Sequence, residues 1–161
     1  MGKYYDGTKL LSLRDINRKK PEIYMCTSNR TAGKTTYFGR MFVNRFFDKK
    51  EKFALLYRYN YELVNVHEKF FKDLNTLFFP GHSMTSKAQA NGKYFELFLD
   101  DMPCGYALAL NDAEQIKKFS HLLSDVKRIL FDEFQSETNK YCPHEIEKLE
   151  KSFHTSPVVF L

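Results

Sequence analysis

The chain has 161 residues, a formal net charge of +5 and 43% apolar content, enough for one domain with its own core. No apolar run approaches the roughly 18–20 residues of a membrane span, and the start, Met1-Gly2-Lys3-Tyr4-Tyr5-Asp6, lacks the apolar stretch of a signal peptide. These features predict a cytoplasmic protein without a membrane partner. Three cysteines, Cys26, Cys104 and Cys142, are too scattered for a disulfide framework and read as reduced structural thiols. The rival reading is half a zinc site at Cys142 and His144, which no CxxC or HxxxH completes. Basic clusters at Arg14, Arg18-Lys19-Lys20, Lys49-Lys50 with Lys52, and Lys117-Lys118 read as solvated faces or as surfaces for phosphates.

In chain order, Ile23-Tyr24-Met25-Cys26 is a short apolar run that predicts a strand. A loop follows, then a helix over 35–47, where Phe38, Met41, Phe42 and Phe46 recur at spacings of three and four. Residues 53–57 are short and almost wholly apolar, the pattern of a strand buried on both faces. A second amphipathic helix is predicted over 61–77, with Leu63, Val66, Phe70, Leu74 and Leu77 on its apolar side and Pro80-Gly81 as its stop. Asn91-Gly92 predicts a hairpin between 84–88 and 93–99. Further strands are predicted over 106–110 and 128–131, helices over 112–123 and 144–153, and a last strand from Pro157. This alternation predicts a single α/β domain over 1–161, with a mainly parallel central sheet flanked by helices and a β-hairpin insertion. The chain stops inside an apolar run, so the expectation is a truncated piece of a longer protein.

The loop after the first strand reads Ser28-Asn29-Arg30-Thr31-Ala32-Gly33-Lys34-Thr35, one residue short of the phosphate-loop pattern GxxxxGK[ST]. Such a loop works because successive backbone N–H groups converge on an anion at a helix N-terminus, where the helix dipole also favours negative charge. Ser28 to Thr36 would line the phosphates of ATP, with Gly33 allowing close backbone approach. Lys34 would reach the β- and γ-phosphates, and the Thr35 hydroxyl would ligate Mg²⁺. Ser28 stands where the pattern has glycine, so the start of the loop differs. Arg30, inside the loop, reads as a catalytic contact to the γ-phosphate or a neighbouring subunit, or as an exposed charge.

The strand 129–131 ends in Asp132-Glu133. The carboxyl ends of parallel strands face the ligand crevice. Asp132 would there hold Mg²⁺ and Glu133 would act as general base on the attacking water. The pair, about 100 residues after the loop, fits a P-loop NTPase with an additional strand between the two motifs. Weaker candidates are Arg58, facing the same crevice or making a structural ion pair; Gln135, positioning water or starting a helix; and Tyr4 with Tyr5, stacking on adenine.

The loop with its internal arginine, Val43-Asn44-Arg45-Phe46, Leu56-Tyr57-Arg58-Tyr59-Asn60-Tyr61-Glu62-Leu63 and Ile129-Leu130-Phe131-Asp132-Glu133-Phe134 together resemble phage DNA-packaging ATPases. Among these the likeness is to the encapsidation ATPase of small short-tailed phages, a relative of the terminase large subunit. It runs from Ile23 to the end and is loose over 80–125. The resemblance implies an ATP-hydrolysing motor that forms a homo-oligomeric ring, commonly of five, on the portal (connector) of a procapsid and drives double-stranded DNA inward, in the host cell cytoplasm. It implies the N-terminal ATPase portion only, without the family's nuclease-like domain. The family's trans-acting arginine is expected near 146–156, where only Lys148, Lys151 and His154 stand. Two other readings stay open: a nucleotide-dependent DNA-binding or assembly module without efficient turnover, and a P-loop nucleotide kinase.

Overall fold

The computed structural model describes residues 14, 17–19, 23–26, 33–112, 123–132, 140–145, 147–148 and 158–160. Their strands are β1 (Ile23–Met25), β2 (Lys52–Tyr57), β3 (Met84–Gln89), β4 (Tyr94–Leu99), β5 (Met102–Ala109), β6 (Val126–Phe131) and β7 (Val158–Phe160), and their α-helices are α1 (Lys34–Lys49) and α2 (Val66–Phe78). The strands form one seven-stranded sheet in the order β1-β7-β6-β2-β5-β4-β3. From β1 through β5 every pairing is parallel. The β3–β4 hairpin, turning through Asn91-Gly92, closes the far edge antiparallel to β5. β7 therefore separates β1, which leads into the loop motif, from β6, which leads into the acidic pair.

The pleat divides the core in two. Phe53 and Leu55 of β2, Ala107 of β5 and Leu130 of β6 face the side covered by α1 and α2. Ala54, Leu56, Leu108, Ile129 and Phe131 face the other side, with Tyr106, Leu123 and Cys142. Both faces of the central strands are buried, as the unbroken apolar runs require. α1 buries a stripe at three- and four-residue spacing, Phe38, Gly39, Phe42, Val43 and Phe46. It ends at Lys50, left-handed at φ 56°, whose N–H bonds the Phe46 carbonyl. At the amino ends of β2 and β6, Lys52 bonds Asp125 at 2.8 Å and Arg128 pairs with Glu51. The Lys52 hydrogen bond holds the Asp125 carboxyl below its ordinary value.

Three expectations need correction. The helix expected over 61–77 is two elements, a 3-10 turn at Asn60–Leu63 and then α2 from Val66. Asn65 breaks it with a left-handed backbone at φ 53°, and Glu62 closes a capping box by accepting the Tyr59 N–H at 2.7 Å. Leu77, expected on the buried side, is exposed. The strand expected from Tyr106 starts four residues earlier, at Met102. The helix expected over 112–123 lies almost wholly outside the described residues, as does most of that expected over 144–153.

Candidate functional site

The carboxyl ends of the parallel strands and the amino end of α1 meet at one place. Gly33 is the N-cap of α1, at φ 75° and ψ 20°, a left-handed backbone that costs glycine little. Among the described residues no side chain caps the helix, and its first turn, beginning Lys34-Thr35-Thr36, has no acidic residue. The amide donors of that turn and the helix dipole thus present positive potential. Lys34 lies close enough to the end of β1 for its charge to act on Cys26, whose thiol is raised chiefly by burial and pulled back by the lysine.

Asp132 follows Phe131, the last residue of β6. Because side chains alternate along a strand, Asp132 shares its side of the sheet with Leu130, which is the side of α1. The Thr35 hydroxyl accordingly stands 3.4 Å from each carboxylate oxygen of Asp132, across 97 positions of sequence. Cis ligands of an octahedral Mg²⁺ at about 2.1 Å stand ~3.0 Å apart. A hydroxyl and a carboxylate at 3.4 Å fit that ion in donor type and, within a few tenths of an ångström, in spacing. Beside the pair opens a cleft of about 280 Å³ lined by Thr35, Tyr57, Tyr61, Glu62, Lys69, Phe70 and Asp132.

The predicted site residues are therefore divided. Gly33, Lys34, Thr35, Thr36 and Asp132 are described, and Thr35 and Asp132 are in contact. Ser28, Asn29, Arg30, Thr31, Ala32 and Glu133 lie outside the described residues, as do Gln135, Tyr4 and Tyr5. Arg58 does not face this cleft. It forks onto Glu145, from Nε at 2.8 Å and a terminal nitrogen at 2.9 Å, on the opposite side of the sheet. Cys142 serves that arrangement, with its thiol donating to the Arg58 carbonyl at 3.4 Å, so its role here is structural. Cys104 is wholly buried, and burial pushes its thiol up to about 12. Tyr57, Tyr61, Glu62 and Lys69 were not singled out as site residues by sequence, although the first three lie in the segment 56–63 that carries part of the resemblance. For Tyr57 a signal was available, because strand alternation puts it on the side of Asp132 and Arg58 on the other.

Fold and site together define a mixed α/β domain in which a basic helix start and a strand-borne acid meet at the carboxyl edge of a mostly parallel sheet. The podovirus DNA encapsidation protein (Gp16) family matches residues 1–157, and the chain belongs to that family. No curated protein matches it significantly. The N-terminal domain of the DNA packaging ATPase from bacteriophage phi29 superposes with a TM-score of 0.67 at 22% identity, covering 98% of this chain and 78% of that one. A chain of the bacteriophage phi29 viral genome packaging motor assembly gives 0.72 at 25% identity, over 98% of this chain and 46% of that one. The phi28 gp11 DNA packaging motor gives 0.62 at 18% identity, over 98% and 49%. The chain thus spans about half the length of the two motor chains.

Proposed function

We propose that this chain is the ATP-hydrolysing domain of a motor that packages double-stranded viral DNA into a procapsid. The observation that carries the reading is the meeting of Thr35 with Asp132 at the start of α1, where a nucleotide's phosphates and their cation would be held together. Membership of the encapsidation family and the titles of the phi29 and phi28 relatives, a packaging ATPase and packaging motors, supply the biological setting.

In this reading the backbone from Ser28 to Thr36 wraps the phosphates, and Lys34 neutralises the β- and γ-phosphate oxygens. Arg30 contacts the γ-phosphate or the neighbouring subunit. Thr35 and Asp132 would hold Mg²⁺, which when bound supplies charge neutralisation across the β- and γ-phosphates. Glu133 accepts the proton of the attacking water. As the water oxygen bonds to the γ-phosphorus, the bond to the bridging oxygen breaks and ADP leaves with its charge held by Lys34. The additional strand β7, between the strands leading into the two motifs, is the arrangement such a separate acidic base accompanies. The partners proposed are double-stranded DNA, the procapsid portal and further copies of the chain in a ring of five, working in the host cytoplasm.

Glu133→Ala tests the assigned base. In the full-length protein, DNA-stimulated ATP hydrolysis should fall by roughly 10²–10⁴-fold while ATP binding is retained. Turnover at the unsubstituted rate would remove Glu133 from that role.

A further inference from the structure

Behind the site, on the side of the sheet opposite α1, Arg58 is 5% exposed and is the buried charged residue of the described core. Its side chain is held by an ion pair and flanked by two rings. The fork to Glu145 sets the plane at 2.8 and 2.9 Å, and the Cys142 N–H donates to the same Glu145 at 3.0 Å. The guanidinium lies 5.6 Å from the Phe131 ring centroid and 5.1 Å from that of Tyr141. The Arg58 carbonyl accepts the Asn111 N–H at 3.1 Å and the Cys142 thiol at 3.4 Å. Three parts of the chain, the end of β2, the exit of β5 and the stretch 141–145, are thereby tied to the last residue of β6.

A buried ion pair is weak evidence for a contribution to stability, because removing two charges from water offsets most of their attraction. An apolar pair of similar volume would fill this space as well. What the fork provides that an apolar pair does not is a fixed plate beside two rings, one of them on the strand that leads to the acid. That ring belongs to Phe131, 1% exposed, and the next residue along the strand is Asp132. Phe131 and Asp132 point to opposite sides of β6, so a rotation of the strand end that frees the phenyl ring swings the carboxylate away from Thr35.

Resting on the reading of Thr35 and Asp132 as the cation's ligands, we propose that Arg58, locked by Glu145, is a positioning residue that braces Phe131 and so holds Asp132 at the distance from Thr35 that a shared divalent cation needs. Supporting partners behind a metal ligand commonly matter by 10–100-fold in metal affinity.

The test is ADP binding by the full-length protein, measured by calorimetry in EDTA and then across a Mg²⁺ titration. Glu145→Gln keeps the volume and removes the charge, and Arg58→Lys keeps the charge and removes the fork. In both, ADP affinity in EDTA should stay within about twofold of the unsubstituted protein while the Mg²⁺ concentration for half-maximal enhancement rises about tenfold. Phe131→Leu, which leaves the ion pair and shortens the brace, should raise it similarly, and combining it with Glu145→Gln should add little. If either ion-pair variant fails to fold, Phe131→Leu carries the same expectation. Folded variants with an unchanged Mg²⁺ midpoint, even at a lower melting temperature, overturn the proposal, since a merely structural ion pair would move only the melting temperature. An unsubstituted protein whose ADP binding ignores Mg²⁺ overturns the reading of the cation site itself and this inference with it, so the two failures are told apart.

Discussion

Asp132→Ala is expected to lower Mg²⁺-dependent ATP hydrolysis by roughly 10²–10³-fold, the several kcal/mol that a correctly held cation contributes to phosphoryl transfer. The substitution removes both oxygens that stand 3.4 Å from the Thr35 hydroxyl, and with them the carboxylate of the proposed ligand pair. Asp132 is only half-buried and follows the last residue of β6, so the sheet register from Val126 to Phe131 should survive. ADP binding in EDTA should therefore persist, through Lys34 and the amide donors of the first turn of α1. The discriminating result is the Mg²⁺ titration, where raising the ion concentration should restore part of the lost rate. A variant with normal turnover at low Mg²⁺ would show that the cation is held elsewhere.

Gly105→Ala should be the most damaging single methyl in the described core. Gly105 sits in β5 opposite Phe53 of β2, and a Cβ there would stand 1.9 Å from the Phe53 carbonyl oxygen and 2.9 Å from its carbon. Those atoms are backbone in the middle of the sheet, so relief requires separating two central strands. The expected cost is about 3 kcal/mol or more, at the upper end for overpacking, which corresponds to a fall in melting temperature of roughly 6–12 °C for a domain of this size. Gly92 is the control. Its φ is +79° but nothing lies within 4 Å of the added Cβ, so Gly92→Ala should cost only about 1 kcal/mol of backbone strain. Thermal melts of the two variants should separate clearly, and equal melting temperatures would mean that β2 and β5 do not pack as closely as described.

Much of this architecture was legible because short apolar runs and a regular helical stripe leave few alternatives. The spacing of Phe38, Phe42 and Phe46 marks α1, and Phe53–Leu56 could only be a strand buried on both sides. The break at Asn65 was not legible, because Leu63, Val66, Phe70 and Leu74 keep helical spacing straight across it. The break is a matter of backbone alone, Val64 being extended and Asn65 left-handed, and asparagine is among the residues that tolerate the latter. The early start of β5 was hidden by Pro103 and Gly105, both poor strand residues. Pro103 is accommodated opposite Phe98, where the β4–β5 register shifts.

The site divided along similar lines. Lys34, Thr35 and Asp132 were nominated from residue types whose chemistry suits phosphate and a hard cation, and the structure brings Thr35 and Asp132 together. Arg58 was ambiguous by charge alone, and its partner, Glu145, lies 87 positions away with no pattern linking them. Alternation along β2 would have assigned it to the side away from Asp132, had parity been weighed against proximity to the strand end. The cleft residues Tyr61, Glu62 and Lys69 come from a turn and a helix start that only tertiary packing brings to Thr35.

Lys34, Thr35 and Asp132 are proposed to belong to one site for a nucleotide's phosphates. Calorimetric titration of ATP with Mg²⁺ into Lys34→Ala, beside the unsubstituted full-length protein, tests it most directly. The loss of charge-assisted bonds to two phosphates predicts an affinity lower by about 100-fold, with the melting temperature of the nucleotide-free protein unchanged. Equal ATP affinity in the two proteins would contradict the claim.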